Sequence, residues 1–100
     1  MKPTTKTSVM TSFHGETVRA SVQDLKTILG EPICEQNDGN DKVNFEWEME
    51  TEEGEVFTVY DWKEYRVIDE GEIIEWHIGS HRAMTSAIAV NEIADRLNNL

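Results

Sequence analysis

The chain has 100 residues, 38% hydrophobic and 29% charged, with a formal net charge of −11. That length supports one domain that buries a core without staples, and the single cysteine, Cys34, permits no internal disulfide. No apolar run approaches a membrane span and the N-terminus lacks the apolar core of a signal peptide, so a cytoplasmic protein off the membrane is expected.

Residues 1–7, MKPTTKT, are expected to be a flexible terminus ahead of a single domain over 8–100. Ser8 to Ala20 is weakly strand-like, with Val9, Met10, Phe13 and Val18 as apolar anchors and Gly15 at a bulge. Ser21 then offers an N-cap, with Asp24 three residues on. Val22, Leu25, Ile28 and Leu29 follow at helical spacing until Gly30 and Pro32 stop the helix. Cys34 to Lys42 is a loop of turn formers. Its Asn and Asp residues lack the alternation of a calcium loop, and no metal or other cofactor is expected.

Val43 to Trp62 is the most informative stretch. Val43, Phe45, Trp47 and Met49 alternate with Asn44, Glu46, Glu48 and Glu50, the period of a strand with one buried face. Glu52-Glu53-Gly54 turns the chain, and Val56 to Trp62 returns rich in β-branched and aromatic residues. A three-residue loop with Gly54 in the left-handed region sets Met49 opposite Phe57 and Trp47 opposite Val59, so both apolar rows share one face. A two-residue loop would break that parity. Lys63 to Glu72 is a polar excursion from which Tyr65 and Val67 are expected to pack back. Ile73 to Ile78 alternates again, with Ile74, Trp76 and Ile78 inward and Glu75 and His77 outward. Gly79-Ser80 should close that strand, with Ser80 capping a helix to about Asn98. Its stripe is Met84, Ala87, Ile88, Val90, Ile93, Ala94 and Leu97. The order β-α-β-β-β-α predicts an α+β antiparallel sheet with both helices on one face and the other face open.

Charge is unevenly placed. Residues 35–75 hold fifteen of the twenty acids and three bases, a net of −12, whereas the remainder carries +1. Such a surface repels nucleic acid and membranes and attracts basic partners. On the open face, Glu46, Glu48, Glu50, Thr58, Tyr60, Trp62 and Glu75 are the candidate partner-binding residues, carboxylates for steering and aromatics for anchoring. The expected function is a non-enzymatic inhibitor of a protein with a basic surface, mimicking nucleic acid.

Two alternatives remain open. A strand-to-helix turn at Gly79-Ser80 would present free N–H groups, and with His77, His81, Arg82 and Lys63 it could hold an anion or a nucleotide beside Tyr60 and Trp62. The chain would then act as a ligand-sequestering sponge. The other alternative is a structural module that homodimerises through the open face. No catalytic motif accompanies these residues, and no enzyme is expected.

An ordered series of short motifs runs through the chain: Gly30-Glu31-Pro32, Asp41-Lys42, Glu46-Trp47, Gly54, Tyr60 to Lys63, and Glu75 to Gly79, within a pattern that covers roughly residues 11 to 97. In this series the chain resembles a widespread family of small, mostly uncharacterised phage-encoded proteins. Ser80 stands where that pattern has a second Gly. The resemblance implies phage origin, a host-cell cytoplasmic location and a role in countering host functions, without a known reaction.

Overall fold

The alternation of residues 45–50 becomes one arm of the central hairpin in a computed structural model that describes all residues, 1–100. Its elements are β1 (Lys2–Pro3), β2 (Ser12–Ala20), α1 (Val22–Leu29), β3 (Cys34–Glu35), β4 (Phe45–Glu50), β5 (Val56–Tyr60), β6 (Ile74–Ser80) and α2 (Ala83–Asn98). They form an antiparallel sheet in the order β1-β4-β5-β6-β2, with β3 also pairing β4. The fold is α+β, as the element order predicts. The two-residue strands β1 and β3 are additional, and both pair with β4, at Glu50–Met49 and Glu46–Phe45 respectively.

The hairpin register is the expected one: Trp47 opposes Val59 and Met49 opposes Phe57. Thr51 N–H donates to Glu55 O at 2.9 Å, leaving Glu52–Gly54 as a three-residue loop with Gly54 at φ 85°. The inward row of β4, β5 and β6 meets both helices in one core. Phe45, Trp47, Phe57, Val59, Trp76 and Ile78 pack with Leu25, Leu29, Ala89 and Ile93. The two indoles lie 5.6 Å apart, edge to face. Each indole N–H is satisfied by a backbone carbonyl, Trp47 on Gly30 and Trp76 on Ala20, at 2.8 and 2.9 Å, so neither burial strands a donor.

Helix α1 is capped as expected: Ser21 Oγ accepts from Asp24 N–H at 3.0 Å, and Gly30 ends it at φ 88°. At α2 the structure corrects the sequence reading. Strand β6 runs through Gly79 and Ser80, and the N-cap position is Arg82, whose side chain makes no cap bond. Ser80 is buried, its hydroxyl 2.6 Å from Ser86 Oγ and donating to Arg82 O. This close approach rotates α2 onto its small residues Thr85, Ser86 and Ala89, with Ile93 one turn on. Met84 and Ile88, expected in the stripe, are exposed, as is Ala94, while Val90 and Leu97 are half-buried.

The N-terminal residues depart furthest from expectation. Instead of fraying, Lys2 and Pro3 extend the sheet at β4, and Thr4 N–H donates to Glu48 O. The chain then crosses the face opposite the helices to reach β2 on the far edge. On the way Lys6 Nζ donates to Gly54 O at 2.6 Å and pairs with Glu50 at 3.1 Å. Ser8 Oγ donates to the Glu48 carboxylate, and Val9 O meets the His81 ring at 2.9 Å. Residues 5–11 therefore form a strap over one end of the face expected to be open. Val9, Met10 and Phe13 are exposed and only Val18 of the four predicted anchors is buried. The expected bulge at Gly15 is present, with two extra residues of β2 between the Phe13–Gly79 and Thr17–His77 pairs.

Candidate functional site

The residues assigned to partner binding share one sheet face, but the strap divides them. Glu50, 7% exposed, lies between Lys6 at 3.1 Å and Lys2 at 3.6 Å. The Lys6 ammonium holds its carboxyl below the usual range. Glu48 takes the Ser8 hydroxyl. Thr58 is on the outer face but buried, at the wall of a recess there. Glu46, Glu48 and Glu50 thus do not form a free acidic row, because two of the three are engaged by the chain's own N-terminus. Glu46, Tyr60, Trp62 and Glu75 remain on the uncovered half.

That half is built around His77. Phe13 stacks on the imidazole with centroids 4.0 Å apart and planes 15° apart. Trp62 lies at 6.3 Å and 28°, and Tyr60 meets the ring edge-on at 5.6 Å. Tyr60 and Trp62 are themselves an edge-to-face pair at 6.1 Å. Trp62 and Phe13 are 40% and 43% exposed. Phe13 reaches the patch because its strand partner is Gly79, which has no side chain on that face; a Cβ there would come within 2.6 Å of Thr58 Oγ1.

Beside the aromatics is a recess of about 210 Å³ lined by Thr11, Ser12, Val43, Glu46, Thr58, Tyr60, Trp62 and Gly79. Burial, and secondarily the neighbouring Glu48, pushes the Glu46 carboxyl above its usual range. Burial raises the Tyr60 phenol, with Glu46 adding to the effect. Two lysine ammonium groups lie over the Trp62 ring, Lys42 at 5.9 Å and Lys63 at 5.5 Å from its centroid. Their chains are tied by Lys63 N–H to Lys42 O at 2.8 Å. Lys2, Lys6, Lys26, Arg66 and Arg82, in contrast, are paired with carboxylates.

Asp61 aims Tyr60 and Trp62 outward. It is fully buried and accepts Asn44 N–H at 2.9 Å and Phe45 N–H at 2.8 Å. Strand β5 consequently stops at Tyr60 and β4 starts at Phe45, inside the expected limits of Trp62 and Val43. Asn44, expected outward, is also fully buried: its amide accepts from Gly39 N–H and donates to Arg66 O. Ile68 packs into the core from the 63–72 excursion, whereas Tyr65 and Val67 are exposed.

The expected anion site at the strand–helix junction does not assemble as a helix-start turn. Gly79 is paired with Thr58 and Phe13 inside the sheet and Ser80 is sealed beneath α2. His81 is held by Val9 O, and Arg82 donates to Glu55 at 3.0 Å. Only His77, Gly79 and Lys63 of that set border the aromatic patch. Sequence reasoning did not find Phe13, Lys42 or Asp61; the Lys42 and Lys63 positions on either side of the hairpin were the one signal available. No three His, Cys, Asp or Glu side chains converge to hold a metal ion, and no helix is long and apolar enough to cross a membrane. The chain matches no protein-family model, no curated protein and no solved structure.

Proposed function

We propose that this is a non-enzymatic binding protein that inhibits a partner with a basic surface, docking it on the uncovered half of the sheet face. The observation that carries the reading is the contiguous cluster Phe13, Tyr60, Trp62 and His77 beside Glu46. Exposed aromatics in mutual contact supply rigid area that desolvates at little entropic cost. A net charge of −11 steers a basic partner toward them. The likeness to small phage-encoded proteins makes host takeover or anti-defence the setting of such inhibition. Nucleic-acid mimicry would rest on Glu46, Glu75 and the surrounding exposed acids, since Glu48 and Glu50 are tied down.

Affinity capture from a bacterial lysate tests this with wild type, Trp62→Ala and Tyr60→Ala. The expected result is a basic protein captured by wild type and lost from both variants while their melting temperatures hold. Its association should slow with salt and be competed by nucleic acid. Equal capture by all three proteins would place the interface elsewhere.

A second reading is favoured by one observation: Lys42 and Lys63 bracket Trp62 without acidic partners. An anionic ligand with a ring, such as a nucleotide, could stack on Trp62 and set its phosphate between the ammonium groups. Calorimetry against mono-, di- and cyclic nucleotides separates this sponge from the inhibitor. Heat lost in Lys63→Glu would favour the sponge, and no heat at high micromolar protein removes it. A concentration-dependent mass in sedimentation, abolished by Trp62→Ala, would instead indicate homodimerisation through the same face.

A further inference from the structure

We infer that the recess beside Tyr60 and Trp62 is a receptor for one cationic side chain, an arginine guanidinium presented by the partner. The inference rests on the protein-binding reading above and names the chemistry at its centre.

Three carboxylates stand in a row on this face, and two already have donors. Glu48 takes the Ser8 hydroxyl and Glu50 takes Lys2 and Lys6. Glu46 is the third; no side chain of this protein donates to it, and it is the one charged residue lining the recess. A half-buried carboxylate with no donor is poorly solvated and unpaired, a state a cationic hydrogen-bond donor relieves. The remaining lining offers hydroxyl oxygens from Thr11, Ser12 and Thr58 and the flanks of Tyr60 and Trp62. A guanidinium carries five donors in a plane and stacks on aromatic faces, whereas an ammonium is a compact, strongly hydrated charge. Carboxylate, hydroxyls and ring walls together match the planar group. Size agrees: about 210 Å³ is below the roughly 300–1,000 Å³ of sites for whole small-molecule ligands, but accommodates a single side chain. Lys42 and Lys63 approach Trp62 from outside this lining.

The test is an NMR titration of the intact protein with ethylguanidinium, with neutral ethylurea and AMP as comparators. The indole N–H groups of Trp47 and Trp76 are bonded inside the core, which leaves the Trp62 indole signal as a specific reporter. Ethylguanidinium should shift that signal and the amides of Thr11, Glu46 and Tyr60, while ethylurea and AMP should not. Glu46→Gln should weaken binding about tenfold or more, the loss of a charge-assisted hydrogen bond. Glu53→Gln removes the same charge from an exposed position in the hairpin loop, outside the recess, and should leave binding unchanged. Equal shifts from ethylurea, the same shifts from AMP, or equal weakening by both Gln variants would each overturn the inference. A captured partner retained by Glu46→Gln but lost from Trp62→Ala would overturn the recess and leave the face reading standing. Ethylguanidinium binding without any captured partner would do the reverse.

Discussion

Asp61→Ala is the most direct test of what holds the aromatic patch in place. The carboxylate is fully buried and accepts the backbone N–H groups of Asn44 and Phe45 where β4 begins. Truncation leaves both donors without a partner at a site closed to solvent. Each orphaned group costs about 1–3 kcal/mol, or roughly 2–6 kcal/mol together. Removing a carboxylate whose ionised form burial disfavours returns part of this, so a net loss of about 2–4 kcal/mol is expected. At about 4–8 °C per kcal/mol for a domain of this size, the melting temperature should fall by about 10–30 °C. Asp61→Asn keeps one acceptor oxygen within reach of both N–H groups and should lose less than half as much. Thermal melts followed by circular dichroism give the magnitudes, and Trp62 fluorescence reports the patch. If the Ala variant melts within two degrees of wild type, or Asn is as damaging as Ala, the assigned role of these hydrogen bonds is wrong.

The pH dependence should have two arms. Burial holds Glu46 and Asp61 above their ordinary range, so the folded state binds those protons more tightly, and stability rises as pH falls through their folded pKa values toward the ordinary ones. Lys6, the N-terminal ammonium and Arg66 hold Glu50, Glu52 and Glu72 below the ordinary 4.5, and the stability these contribute above that value is lost as pH falls through their folded values. Urea midpoints across a pH series should therefore pass through a maximum on the acid side of neutral; a monotonic fall from pH 7 would contradict the assignment. Gly79→Ala should cost about 1–3 kcal/mol by overpacking, since its Cβ meets Thr58 Oγ1 at 2.6 Å, and Thr58→Ala should relieve it in urea titrations of the double variant. Deleting residues 1–7 should speed hydrogen exchange at Glu48 and Glu50, whose strand loses its β1 partner, and leave the Trp47–Val59 register protected; unchanged exchange at Glu50 would mean β1 does not hold the edge.

Local chemistry made much of this chain legible from its sequence. The alternation of Phe45 to Glu50 and the Gly54 turn determined the hairpin register, because a one-residue slip would put Trp47 in water. Ser21 and Gly30 determined the ends of α1 through a side-chain acceptor and a left-handed residue, both properties of single positions. The inward placement of Trp47, Trp76 and Ile78 followed from period 2 alone. What the sequence could not determine depended on how elements approach one another. The rotation of α2 was decided by Ser80 touching Ser86, which demands small residues at the contact and leaves Met84 and Ile88 outside despite their hydrophobicity. The path of residues 5–11 was decided by Lys6 and Ser8 meeting carboxylates forty or more positions away, pairings with no periodic trace. The same contacts determined which acids stay free, so the acidic row read from the sequence became one unpaired glutamate beside an aromatic patch. Phe13 joined that patch only because a bulge and a glycine on the neighbouring strand made room for it.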